Sequence, residues 1–272
     1  MNLENYFISH FNSSTIGDDG ALVGKYVYSK DAFFENVHYK KEWLTYYQIA
    51  QRAMLVNISD AIAMNAVPEY ALLSVAMPKS MSKKDMSDLA EGFNDMAKYY
   101  DIEIIGGDTI SNTKLDITIT IISRTSQPLL RSKIRCGYIL GFTGQLGKSA
   151  YALKKLFNLG KIHKHSKFIN IQLRQDFVQN SERVLKAGMD ISDGLFSDLE
   201  KLAKLNKIGV HIFKEMPKNV VCSGEEYEML VAFDKRAIKA VKRRATQSRT
   251  DITFFAQAAR KRYTNRCKVH HF

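Results

Sequence analysis

The sequence predicts an α/β protein, of α+β type, folded as two lobes. Three observations predict it. Strand-like and helix-like hydrophobic patterns alternate along the chain, no internal repeat or low-complexity linker interrupts them, and 272 residues with 45% hydrophobic and 11% aromatic content can bury a full core. The same composition excludes disordered and fibrous classes.

Taken in order, residues 26 to 33 and 70 to 77 read as strands, and the helix between them, roughly 45 to 65, ends before Pro68. That connection is βαβ. Ser82 with Asp85 makes a capping box for a second helix running to about Tyr100, followed by strands at Ile102 to Ile105 and Leu115 to Ser123. The first half is therefore β-α-β-α-β-β. The second half opens with a strand at Tyr138 to Phe142 and a helix from Gly147. Helices near 172 to 186, 194 to 206 and 235 to 246 follow, with short strands between them. A boundary near Gly137 separates an N-terminal lobe, residues 1–137, from a C-terminal lobe, residues 138–272.

Charge and cysteine usage narrow the function classes. Forty basic against 28 acidic residues give a formal charge of +12, which favours anionic partners such as nucleotides, nucleic acid or a membrane surface. Much of the excess lies late, at Lys235, Arg236, Lys239, Lys242, Arg243 and Arg244 on one predicted helix, then at Arg260, Lys261 and Arg262. A solvated helix face accounts for it, and no RGG repeat, RNP stretch or zinc knuckle argues for RNA. The first residues lack the basic and apolar regions of a signal peptide, and no segment is apolar for long enough to span a membrane, so a cytoplasmic protein is expected. Cys136, Cys222 and Cys267 are scattered, without CxxC spacing, and are expected to be reduced thiols.

Five segments put aspartates beside glycine or small polar residues at element ends: Gly17-Asp18-Asp19, Ser29-Lys30-Asp31, Asn57-Ile58-Ser59-Asp60, Gly106-Gly107-Asp108-Thr109 and Met189 to Gly194. Strand ends are where sites collect in α/β folds. Asn57 and Asp60, three apart, share one helix face among apolar neighbours, where a carboxylate needs a partner. Any one of these is explained by a cap or a turn. Together they point to a site for cations and phosphates, because magnesium takes oxygen ligands and bridges nucleotide phosphates. Phe142 to Ser149 imitates a phosphate loop after a strand, but Phe142 occupies the place of the required first glycine, and a tight turn is the better account.

In their order, these segments resemble the thiamine-monophosphate kinase family, part of the superfamily of aminoimidazole ribotide synthetase and selenophosphate synthetase. Gly17 to Ala21 is similar to GDDAA, Asn57 to Met64 to NLSDIAAM, Gly106 to Thr109 to GGDT, and Met189 to Leu195 matches MDISDGL. Ser223 to Leu230 is similar to GGEDYELL, and Thr143 to Ala150 to TGxLGxSA. The resemblance implies a two-lobe aminoimidazole ribotide synthetase-like fold in which the first lobe pairs with a second copy, giving a barrel across a homodimer. It implies magnesium held by Asp19, Ser29, Asp31, Asp60, Asp108, Asp190 and Asp193, and ATP held by Gly107, Asp108, Arg131 and Ser192. His38 and Glu225 match substrate positions, and Asp60, Asp108 and Asp190 carry the catalytic charge neutralisation.

The implied reaction moves a phosphoryl group from ATP to thiamine monophosphate. Its acceptor is an anionic phosphate oxygen, so a site rich in aspartates and without a general base fits. Four departures stand out. Lys30 replaces a threonine beside the metal, where an ammonium would replace a cation or meet phosphate. Val269 replaces the aromatic of a closing WDHF-like segment, Glu226 replaces an aspartate, and Ser223 replaces a glycine. The alternatives are a ligase-like enzyme of the same superfamily and a basic nucleic-acid-binding protein. Selenophosphate synthesis would need a reactive cysteine near the N-terminus, and the first cysteine is Cys136.

Overall fold

The computed structural model describes residues 3–267. After a short helix α1 (Leu3–Ile8), the first sheet is built from β1 (Ala21–Val23), β2 (Tyr26–Phe34), β3 (Val67–Pro78), β4 (Glu103–Asn112) and β5 (Asp116–Arg124). Helix α2 (Tyr46–Ala63) joins β2 to β3, and α3 (Lys83–Tyr99) joins β3 to β4. The strand order is β1-β2-β5-β3-β4. β3 and β4 are parallel neighbours, while β2 and β3 each run antiparallel to β5, which separates them.

Local sequence explains where these helices start. Thr45 caps α2 and Ser82 caps α3, each with the reciprocal bond from the third helical residue, Gln48 and Asp85. One face of the sheet is made by Phe33, Ala71, Ile117, Ile119 and Ile121, all buried. The opposite face leaves Tyr28 and Leu72 exposed. Helix α2 is buried almost all round, from Ile49 to Ala63. It lies between α3, the first sheet and the second lobe, which is why its pattern lacks a polar face.

The second sheet is antiparallel, in the order β7-β9-β6-β10-β8. Its strands are β6 (Ile139–Thr143), β7 (Leu185–Asp190), β8 (Gly209–Ile212), β9 (Met229–Phe233) and β10 (Ile252–Ala259). Its helices are α4 (Lys148–Phe157), α5 (Gln175–Asn180), α6 (Leu195–Leu205), α7 (Lys218–Val221) and α8 (Ile238–Gln247). One hydrophobic core runs from Phe33 and Ile58 in the first lobe through Phe168 and Phe177 to Val231 and Phe233 in the second. No helix among the described residues is long and apolar enough to cross a membrane.

Two expectations are corrected. The helix expected over 172–186 is only Gln175–Asn180, because the chain turns at Ser181 and leaves as strand β7. Cys222 and Cys267 are not thiols but form a disulfide, with Cα atoms 5.5 Å apart, and only Cys136 is free among the described residues. Their separation of 45 residues hid a pairing that the fold creates by returning the segment after β10 to the α7 turn. The closing segment with Val269 lies outside the described residues.

Candidate active site

The site is assembled where α2 meets the middle of β2 and the end of β7, so Asp31 lies within its strand and not after it as expected. Period-two alternation in β2 sends Ser29 and Asp31 to the buried face and Lys30 to the other. Asn57 ties the strand to the helix: its Oδ1 accepts from the Asp31 backbone N–H at 2.7 Å, and its carbonyl accepts from Ser29 Oγ at 3.2 Å. Two residues later Ser59 Oγ donates to Asp190 Oδ2 at 2.7 Å, across the two lobes. The polar residues of the Asn57–Asp60 segment therefore bind backbone and side chains of both sheets, although they interrupt an apolar helix.

Three carboxylates converge there. Oxygen atoms of Asp19, Asp60 and Asp190 all lie within 4.8 Å of one another. Burial pushes Asp60 well above its ordinary value, and the charges of Asp31, Asp190 and Asp19 push it further. Asp190 is likewise raised well above, first by burial and then by Asp19, against the Ser59 bond that favours its charged form. Asp31 is raised to about 6 by burial and by Glu225 and Asp19. Asp19 is raised by burial despite its ion pair with Arg131, and its second oxygen, buried, has no hydrogen-bond partner. Four acids that resist ionising together, with an orphaned oxygen aimed among them, fit a divalent cation taking hard oxygen ligands.

Arg131 closes one side of this cluster. Its backbone N–H donates to Asp18 Oδ1 at 2.6 Å and its guanidinium to Asp19. The anions hold the guanidinium above its ordinary value although burial opposes it.

Next to the cluster is a cavity of about 560 Å³ between the lobes, lined by His38, Trp43, Phe157, Ser192, Asp193 and Glu225 among others. His38 Nδ1 accepts from the Phe34 backbone N–H at 3.0 Å and its ring stacks on Phe33. Glu225, at φ +57°, is held by Arg52 Nη2 at 2.6 Å and by the Tyr227 hydroxyl at 3.1 Å. Arg52 is wholly buried, lies over the Phe168 ring at 4.1 Å and donates to the Phe168 carbonyl. The sequence reading did not single it out. A charged residue inside the apolar run of α2 is the signal that could have found it, the same one that marked Asp60.

Other predicted residues stand outside the three converging carboxylates. Asp193 Oδ2 pairs with Lys201 Nζ at 2.6 Å, and Lys201 also pairs with buried Asp198, another residue not foreseen. Asp108 is on β4, exposed at the sheet edge, and is not among the three converging carboxylates. With Gly107 it lines a groove of about 390 Å³ between β3, β4 and α3. Gly107, at φ +147°, leaves no room for a side chain, since a Cβ would sit 1.6 Å from the Leu73 carbonyl oxygen. Lys30 corrects the expectation built on it: its ammonium reaches Thr118 and Thr120 on the outer face of the sheet, away from Ser29 and Asp31. The false phosphate loop is explained too. The first N–H groups of α4, at Gly147 and Ser149, donate to the buried carboxylate of Glu226 rather than to a ligand.

Comparison with known proteins gives the family and the fold. The N-terminal domain model of AIR synthase related proteins matches residues 17–125. The thiamine-monophosphate kinase of Bacillus subtilis is 32% identical over 221 residues, covering 74% of this chain and 67% of its own. That of Buchnera aphidicola subsp. Schizaphis graminum is 32% identical over 255 residues, covering 82% and 78%. The chain belongs to the thiamine-monophosphate kinase family. Its fold is that of the solved AaThiL complexed with AMPPCP and TMP, at a TM-score of 0.86 and 23% identity over 96% of this chain and 91% of that one.

Proposed function

We propose that this chain transfers the terminal phosphoryl group of ATP to the phosphate of thiamine monophosphate, giving thiamine diphosphate and ADP. The observation that carries the reading is the convergence of Asp19, Asp60 and Asp190 beside a cavity walled by His38 and Glu225. A family relative is described as binding both AMPPCP and TMP, which supports both substrates.

The bond from the γ-phosphorus to its bridging oxygen breaks, and one from that phosphorus to an acceptor phosphate oxygen forms. The acceptor oxygen carries no proton at neutral pH, so positioning and charge neutralisation are the chemistry required. Asp19, Asp60 and Asp190 would hold magnesium, with Ser29 and Asp31 beside them, and Asp108 and Asp193, which stand outside that convergence, would serve as further ligands. Bound magnesium would neutralise phosphate charge and hold donor and acceptor together. Arg131, with Gly107, Asp108 and Ser192, holds the ATP phosphates, and its fork suits two phosphate oxygens once it exchanges Asp19 for them. Glu225, fixed by Arg52, and His38 orient the acceptor. The outer face of the first sheet, with exposed Tyr28 and Leu72, supports a homodimer through that sheet. We place the enzyme in the cytoplasm, where ATP and magnesium are supplied.

The test is to incubate purified protein with ATP, magnesium and thiamine monophosphate and to look for thiamine diphosphate. Absence of product from well-folded protein that turns over another phosphorylated acceptor would overturn the assignment.

A further inference from the structure

A second cavity, of about 460 Å³, shares no lining residue with the acceptor cavity and contains none of the three converging carboxylates. Its charged lining is Lys148, Lys167, Arg174 and Arg249 against Glu228 and Asp251, with His165 at the same wall. The cations divide into two kinds. Lys167 and Arg174 are largely buried and committed: Lys167 pairs with Glu226 and Glu228 at 2.9 Å each, and Arg174 Nε meets Glu228 at 2.7 Å. Burial would raise Glu228, but these bonds outweigh it and leave its carboxyl below the ordinary range. The floor of the cavity is thus a neutralised, rigid ion cluster.

Lys148 and Arg249 are the second kind. Neither has an ion pair among the described residues, and both are exposed residues that line the cavity. Arg249 is held there by a backbone at φ +48°, directly after the last turn of α8. Lys148 opens α4, whose terminal N–H groups are already occupied by Glu226, so its ammonium is not needed for the helix. Two unpaired cations on one concave polar lining suit an anion, since guanidinium and ammonium groups both bind tetrahedral oxyanions.

We propose that this cavity binds a phosphate-bearing small anion at a site separate from the phosphoryl-transfer cleft. Its chemistry is that of a phosphate or diphosphate group, free or on an organic carrier. Lys148 and Arg249 supply the positive charge that grips the group, above a floor whose carboxylate Glu228 is neutralised by Lys167 and Arg174.

Calorimetric titration of the full chain with pyrophosphate, and separately with ADP, in chelator-containing buffer at physiological ionic strength tests it. Chelation removes the metal that the transfer cleft requires, so binding does not depend on the kinase assignment. One equivalent is expected to bind, and the Lys148→Ala/Arg249→Ala variant should bind at least about tenfold more weakly. A charge-matched Lys239→Ala/Arg243→Ala control, on the exposed face of α8, should bind as the parent does. Tighter binding of ADP than of pyrophosphate assigns the anion to an organic carrier, and the reverse assigns it to the free group. The proposal is overturned if the parent shows no heat up to about 10 mM ligand. It is also overturned if both double variants weaken binding alike, or if the Lys148/Arg249 variant loses magnesium-ATP affinity by the same factor.

Discussion

Arg52 and Glu225 show how much of this site depends on single buried charges. Removing Arg52 leaves a carboxylate without its partner in the lobe interface, so Arg52→Met is expected to destabilise the fold by about 3–5 kcal/mol, read by chemical denaturation. A cost under about 1 kcal/mol would show that Glu225 finds water instead. At the converging carboxylates, Asp190→Asn keeps the shape and removes one charge. Turnover is expected to fall at least about 100-fold with little change in melting temperature, and a variant above about a tenth of the parent rate would remove Asp190 from the reaction. Asp31 and Asp198 each sit near 6 in the folded chain, raised mainly by burial from 3.8. The folded state therefore binds more protons than the unfolded state between about pH 4 and 6. In chelator, stability should rise as pH falls through that window and drop as pH rises through 6. Added magnesium should restore the part due to Asp31 at pH 7.5, where that acid is charged. Thermal melts with and without magnesium would show both effects, and a flat profile in chelator would contradict them. Asp19, Asp60 and Asp190 were recognisable from local motif. Lys30 was misplaced because proximity along a strand says nothing of side until the register is known, and the strand alternation puts it opposite Asp31.

At the scale of elements, capping and punctuation set most boundaries. Thr45 and Ser82 fix the starts of α2 and α3, so both helices are where the sequence puts them within two residues. The stretch 172–186 failed because its apolar residues continue from α5 into β7, and only packing decides where a helix stops and a buried strand begins. The crossing of α2 and α3 depends on Gly92, where a Cβ would lie 2.3 Å from the Tyr47 carbonyl oxygen and 2.9 Å from the Ala50 side chain. Gly92→Val is therefore expected to push the helices apart and to cost about 1–3 kcal/mol in denaturant titration. Because α2 carries Asn57, Ser59 and Asp60, activity should fall further than stability accounts for. An unchanged midpoint would show that α3 can slide freely.

For the whole molecule, the disulfide between Cys222 and Cys267 fastens the end of the described chain to the wall of the acceptor cavity, which Cys222 lines. A closed loop of 45 residues predicts a loss of roughly 2–4 kcal/mol on reduction, seen as a lower melting temperature in dithiothreitol that Cys267→Ser reproduces. An identical midpoint in oxidised and reduced samples would mean that packing at Tyr263 already holds the segment. The sequence by itself determined the alternation of elements, the helix starts, the family and the acidic segments. Each of these is written within a few neighbouring residues, as a cap, a period or a motif. The tertiary structure decided which acids meet, that Arg52 holds Glu225, that Lys30 faces away, that Glu226 caps α4, that two distant cysteines join, and that two unpaired cations line a second cavity. These depend on contacts between segments tens to more than a hundred residues apart, and no local pattern records a partner at that distance.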